Sequence, residues 1–277
     1  MRKNAIYLFC FLNLVFLSCT NNKSNKLLFE NIETIENIDT LISQVRYVQL
    51  KGIGDEYLGS IDRIVYRGGK IYVLDVLVSQ KIMVFDSEGF FLYQIGERGK
   101  GPGEYLSITD FDVDSNDDVY VFDNGSLKLI KYSNNAKEHQ VIELSYGFIE
   151  FRLIDNERII AYNCYSMTDY LERSLYGIYN INTKEFEPIF DFREDVDMLM
   201  NYYEFSHLFK SEAGIYFYPR FSEAIYCYKN ELDTFIHFDE SLIPKSYNEI
   251  ERLTTNRFDF IVIVKTTSLG GGYVPLG

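Results

Sequence analysis

Residues 54–62 read GDEYLGSID, and residues 101–110 read GPGEYLSITD. Glu56 aligns with Glu104, Tyr57 with Tyr105 and Leu58 with Leu106, each 48 residues apart. The run IYVLD at 71–75 returns as VYVFD at 119–123 in the same step. A self-similar unit of this length, built from short strands, is the pattern of a β-propeller blade. Working outward, residues 61–96 supply four strand-like runs, IDRIVY, KIYVLD, KIMVFD and FFLYQIG, with RGGK and DSEG as tight turns. A second blade starts at Ile108, with ITDFDVD, VYVFD, LKLIKYS and EHQVIEL. A third holds FIEFRLI, RIIAYN, SLYGIYNI and EFEPIFDF, and a fourth holds EFSHLF, IYFYP, AIYCYKN and ELDTFIHF.

The expectation is therefore an all-β fold, a β-propeller of four-stranded antiparallel blades, with four full blades plus flanking strands. One flanking strand is VRYVQL at 45–50, which precedes GDEY as FFLYQIG precedes GPGEY. It reads as an outer strand without its own blade, placed to complete the last blade and remove an exposed sheet edge. The other is FDFIVIV at 258–264, a fifth inner strand. The remainder, KTTSLGGGYVPLG, has no four-strand pattern, so the expected propeller is C-terminally truncated: an open, association-prone arc. Residues 195–205 and 244–255, between blades, suit one or two helical turns each.

The 277 residues are 47% hydrophobic, with 23 Tyr, 22 Phe and no Trp, a composition that favours strands and supports a core. The formal net charge of −14 opposes binding to nucleic acid and electrostatic docking on anionic lipid. At the N-terminus, Arg2 and Lys3 precede the apolar run Ala5–Leu17, which is too short for an ordinary membrane span. The run ends in Phe16-Leu17-Ser18-Cys19, a small residue before a cysteine. Residues 1–19 thus read as a lipoprotein signal, with Cys19 as the lipid attachment point. Residues 20–44 read as a polar tether and lead-in, and 45–277 as the propeller. Cys164 and Cys227 in the body form no disulfide framework.

Loops joining blade to blade emerge on the same face as the loops between second and third strands. Loops on a rigid scaffold carry function, and Arg offers a planar fork for carboxylate or phosphate. Arg98, Lys100, Arg173, Arg193 and Arg220 are the candidate ligand-binding residues on that face. GERGKGPGEY at 96–105 is glycine-rich but lacks the phosphate-loop spacing and precedes a strand, not a helix. Gly101, Gly103, Glu104 and Tyr105, echoed by Glu56 and Tyr57, read instead as structural residues of the inter-blade crossing. The acidic run Asp110, Asp112, Asp114, Asp117 and Asp118 lacks the EF-hand order and reads as solvated turn chemistry. Asp75 and Asp123 read as loop-capping residues. His139, His207 and His237 fall in separate blades at no metal-ligand spacing, with His207 on an inner strand. No catalytic residue, metal site or cofactor is read from the chain.

The lipobox-like start, the closing strand, and IGERGKGPGEY followed by DVYVFD together resemble the six-bladed β-propeller lipoproteins of Bacteroides-type bacteria, which are related to NHL-repeat propellers. The resemblance covers residues 1 to about 264. It implies an exported propeller held in the cell envelope, on the periplasmic or outer-membrane face. Its partners are the membrane, through the lipid anchor, and an unknown protein or small-molecule ligand. NHL-like relatives include metal-dependent lyases and lactonases, so the alternative is a metal-dependent lyase or hydrolase. Those enzymes need clustered His and acidic ligands, which this sequence does not show as a motif.

Overall fold

The computed structural model describes residues 45–52, 54, 58–163, 174–191, 207–219 and 222–238. Among these residues, all regular structure is strand. Blade 1 consists of β1 (Arg63–Arg67), β2 (Lys70–Asp75), β3 (Lys81–Asp86) and β4 (Phe91–Ile95), paired in that order. The link to blade 2 contains a two-residue parallel pair, β5 (Glu97–Arg98) with β6 (Glu104–Tyr105). Blade 2 is β7 (Ile108–Val113), β8 (Val119–Asp123), β9 (Lys128–Tyr132) and β10 (His139–Glu143). Blade 3 is β11 (Glu150–Leu153), β12 (Arg158–Tyr162), β13 (Ser174–Asn180) and β14 (Phe186–Asp191). Blade 4 is β15 (Leu208–Ser211), β16 (Gly214–Phe217), β17 (Ala224–Tyr228) and β18 (Leu232–His237). Each blade is a separate four-stranded antiparallel sheet, and together they form a four-blade propeller. The inner strands β1, β7, β11 and β15 stand beside one another in that order.

Burial explains the strand sequences. Middle strands are covered on both faces, so β8 (VYVFD) is buried at every position and reads as a continuous apolar run. The outer strand β10 is mostly exposed and correspondingly polar. The core lies between blades. Tyr72, Leu74, Ile82 and Val84 of blade 1 meet Phe111, Val113, Val121 and Ile130 of blade 2. Tyr120, Phe122 and Leu129 meet Phe151, Leu153 and Ile159 across the next junction. Ile160, Tyr162 and Tyr176 meet Leu208, Ile215 and Phe217 across the third. Each such side chain contributes roughly 1.5–3 kcal/mol by leaving water.

The segment 45–50 departs from the sequence expectation. It forms no ladder and does not complete the last blade. Instead it runs past blade 1, joined by one parallel bridge between Lys51 and Phe90. Arg46 donates to the Ser87 carbonyl at 3.1 Å and pairs with Glu88 at 2.5 Å. Gly89 makes this path possible, because a Cβ there would strike the Gln49 carbonyl. Leu50 and Leu58 then pack against Val73, Met83 and Phe85. The strand expected at 258–264 and the helical turns expected at 195–205 and 244–255 lie outside the described residues.

Candidate functional site

The inner strands bring charged side chains to the propeller axis. Arg63 of β1 pairs with Asp110 of β7 and lies 3.7 Å from Asp112. Arg152 of β11 pairs with Asp110 at 2.9 Å and with Glu150. Lys210 of β15 donates to Asp112 at 2.8 Å. Three carboxylates thus face three cations. His207, just before β15, has Nδ1 3.2 Å from Glu150 and stacks on Tyr162, with ring centroids 3.8 Å apart. Asp110 and Asp112 are buried, so their reading as solvated turn residues is corrected. Only their sharing of one strand face carries over.

These carboxylates also bind backbone. Asp110 accepts from the Phe151 N–H and Asp112 from the Leu153 N–H, each at 2.8 Å. Glu150 accepts from the His207 N–H at 2.7 Å and the Leu208 N–H at 3.3 Å. An inner strand leaves donors unpaired on its axial side, and the preceding blade's carboxylate supplies their acceptor. Burial opposes ionisation here. For Asp112 the cations Lys210 and Arg63 outweigh it, and for Glu150 Arg152 and His207 do, so both carboxyls sit below the ordinary range. For Asp110 burial prevails over Arg63 and Arg152, and its carboxyl is raised. The Arg152 guanidinium is raised because Glu150, Asp110 and Asp112 outweigh its burial. The cluster works as a set of staples between blades. Among the described residues, no group of three His, Cys, Asp or Glu side chains is placed to hold a metal ion.

The inter-blade face is held by a second set of carboxylates. Asp75, at the end of β2, accepts from the Gly59, Ser60 and Val78 N–H groups and from the Ser60 and Ser79 hydroxyls, at 2.7–3.1 Å. Burial opposes its charge, yet these donors hold its carboxyl well below the ordinary range. Asp123, at the end of β8, accepts from the Leu106, Ser107 and Gly125 N–H groups and from the Ser126 hydroxyl. Both therefore cap loops, as their strand-end positions suggest. On the loop that Asp75 fixes, Leu77 is 78% exposed and Val78 53%.

The glycine-rich loop is folded on itself. Glu104 accepts from the Gly101 N–H at 2.6 Å and returns its own N–H to the Gly101 carbonyl at 3.1 Å. Gly103 has φ +75°, and a Cβ there would meet the His139 ring. The Tyr132 hydroxyl donates to the Gly103 carbonyl at 2.7 Å, and Tyr105 is fully buried. Arg98 and Lys100 are exposed on this loop. Arg173, Arg193, Arg220, Glu56, Tyr57 and Cys19 lie outside the described residues. The axial ion cluster matches no local sequence motif. Its only trace in the sequence is charge at alternate positions of inner strands, DFD at 110–112 and EFR at 150–152.

Four-stranded blades stapled by axial ion pairs define the class, an all-β propeller. Within it, the chain belongs to the family described as a domain of unknown function, DUF4934, which matches residues 27–268. A similar solved structure is a Bacteroides fragilis NCTC 9343 protein described as exported, with TM-score 0.60 and 16% identity. The match covers 71% of this chain and 55% of that one, so the chain spans about half of that protein's length. A DUF4221 member from Bacteroides vulgatus ATCC 8482 matches at TM-score 0.40 and 13% identity, over 66% of this chain and 58% of that one. PorZ, a surface component of the type-IX secretion system of Porphyromonas gingivalis, matches at TM-score 0.40 and 15% identity, over 65% and 21%. No curated protein matches the chain. The likeness to the Bacteroides fragilis protein extends to the fold. The six-blade, NHL-type expectation is narrowed to a propeller with four described blades.

Proposed function

We propose that this protein is an exported, lipid-anchored propeller that binds a partner protein or ligand through its inter-blade loop face. One observation carries the reading: Leu77 and Val78 stand exposed on a loop held at both ends, with the Val78 N–H and Ser79 hydroxyl on Asp75 and the Val76 and Leu77 N–H groups on Asp62. Adjacent exposed apolar side chains on a rigid loop suit an interaction site, because their burial against a partner costs little ordering entropy. Arg98 and Lys100, exposed on the neighbouring inter-blade loop, add cationic groups for an acidic partner. Cys19 supplies the anchor, and the tether from residue 20 gives the propeller reach.

The test is affinity capture from native envelope with wild type and with Leu77→Ser/Val78→Ser. A specific companion should be retained by wild type and by Arg67→Ala/Lys137→Ala on the opposite face, and lost with the loop variant. Equal retention by the loop variant would defeat the reading. Cys19→Ala should move the protein out of the membrane fraction, and an unchanged fractionation and mass would remove the anchor.

The second reading, a metal-dependent lyase or hydrolase, draws on Asp110, Asp112, Glu150 and His207 standing on or beside neighbouring inner strands, although no three of them are placed to hold a metal ion. Against it, those carboxylates already serve cations and backbone donors. A metal would have to displace Arg152 and Lys210 first.

A further inference from the structure

Asn124-Gly125 is the one Asn-Gly pair in the chain. It lies in the loop after β8, with Asn124 half-buried and Gly125 exposed. In such a pair the glycine nitrogen can attack the asparagine side chain, because glycine carries no Cβ to obstruct the approach and its backbone turns freely. Here that nitrogen is restrained. The Gly125 N–H donates to Asp123 Oδ1 at 3.1 Å, and Asp123 is fully buried. One residue earlier, the Asn124 N–H donates to the Ser107 carbonyl at 3.0 Å. A nitrogen whose proton is held by a carboxylate is a poor nucleophile, and a loop bonded at successive N–H groups does not rotate to bring it onto the side chain. The glycine is itself fixed by packing, since a Cβ at 125 would lie 2.9 Å from the Leu106 Cβ. The fold thus requires the reactive residue and restrains it with the same cap.

We propose that Asn124 is a site of spontaneous deamidation and that the Asp123 cap is its brake. When the loop opens, the Gly125 nitrogen loses its proton and bonds to the Asn124 Cγ, and the carboxamide nitrogen leaves as ammonia. Water then opens the cyclic imide at either carbonyl, which leaves aspartate or isoaspartate at 124. The net reaction consumes one water and releases one ammonia, with no oxidant or reductant. Either product sets a new carboxylate beside Asp123. Isoaspartate also routes the backbone through the former side chain and adds a methylene before Gly125. The cap needs Gly125 against Leu106 and its N–H on Asp123 together, and the longer link does not satisfy both. The change is one-way and belongs to blade 2, because the twin loop at 76–80 contains no asparagine. It does not depend on what the loop face binds.

The experiment ages the full chain in mildly alkaline buffer and follows residue 124 by peptide mass, reading the gain when the amide becomes an acid. In denaturant the conversion should run about tenfold faster or more than in the folded chain, where loop opening limits it. Ser126→Ala removes the hydroxyl that donates to Asp123 Oδ2 and so loosens the cap without touching the reacting atoms. It should raise the folded rate about fivefold, as the loss of one hydrogen bond allows. Asn124→Gln should stop the reaction. In the aged wild type, amide exchange should quicken at 106–107 and 124–127 and stay unchanged at 76–80. Equal rates in the folded and denatured chains, or no acceleration by Ser126→Ala, would overturn the brake. An Asn124 that survives in denaturant would overturn the site.

Discussion

The loops that follow β2 and β8 are one device built twice, with one difference. Asp75 and Asp123 occupy equivalent strand ends, and each gathers N–H groups from the chain entering its blade and from the loop it starts. In blade 2 the loop spans 124–127, and Gly125 lies where a Cβ would touch Leu106. In blade 1 the loop spans 76–80, one residue longer, and the relation is reversed. Gly59 is now the residue with no room for a Cβ, and the side chain against it is Val78. The inserted loop residue and the glycine accommodate each other. The result is a loop as firmly capped as its twin that presents Leu77 and Val78 where its twin presents Asn124 and Gly125. Structure resides in the aspartate, and the tip is left free to vary.

The largest effect should come from the caps. Asp123→Ala and Asp75→Ala each leave several part-buried N–H groups without their acceptor, and each should lower stability by about 3 kcal/mol in chemical denaturation. Near-equal losses would sharpen the equivalence of the two loops. A loss below about 1 kcal/mol for either would break it.

Acid should expose the same cap. The Asp75 carboxyl lies below its unfolded value, so its contribution is fully present above about pH 4 and is lost as pH falls through the folded value. Wild type should therefore lose more stability than Asp75→Asn between about pH 5 and pH 2. Parallel acid limbs for the two proteins would show that the hydrogen bonds do not favour the charged form.

A smaller difference separates the residues that close the loops. Gln80 and Leu127 both adopt left-handed backbone, with φ of 54° and 53°. Glycine relieves that conformation at either site. Gln80 also accepts from the Ile108 N–H at 3.1 Å and donates to the Val76 carbonyl, which ties the blade 1 loop to blade 2. Gln80→Gly should thus be less stable than Leu127→Gly by about 1 kcal/mol. The reverse order would mean that the Gln80 bridge contributes nothing.

The paired loops also show what was legible in the sequence. The 48-residue echo located both aspartates, because strand-end position and turn chemistry are local. Blade count and strand type followed from apolar runs between glycine-rich turns, as in KIYVLD and KIMVFD. The change of step at Gly59 was not legible, since only hydrogen bonding shows that Gly59 and Ser60 stand where Leu106 and Ser107 do. The path of residues 45–50 was missed for a related reason. Strand propensity does not reveal which edge a segment will meet, and Gly89 made room on blade 1. The axial ion cluster is non-local: Asp112 and Lys210 are 98 positions apart. A charge on an inner strand looks like solvent exposure until its partner from another blade is seen.

The smallest stability change and the sharpest functional one should coincide at the tip. Leu77 gives up little burial when replaced, being 78% exposed, and Val78 is more than half exposed. The hydrogen bond at this site uses the Val78 backbone N–H, which substitution keeps. Leu77→Ser/Val78→Ser should therefore alter stability by no more than about 0.5 kcal/mol, as expected of surface positions. Binding to any partner of this face should nevertheless fall, because the two side chains lose the apolar area they would bury against it. The matched blade 2 change, Asn124→Ser, should leave both stability and binding in place. A stability loss above about 1 kcal/mol at 77 and 78 would mean that the exposed pair belongs to the fold after all. The difference between the two loops would then be one of packing, and the partner site would have to be sought elsewhere on the propeller.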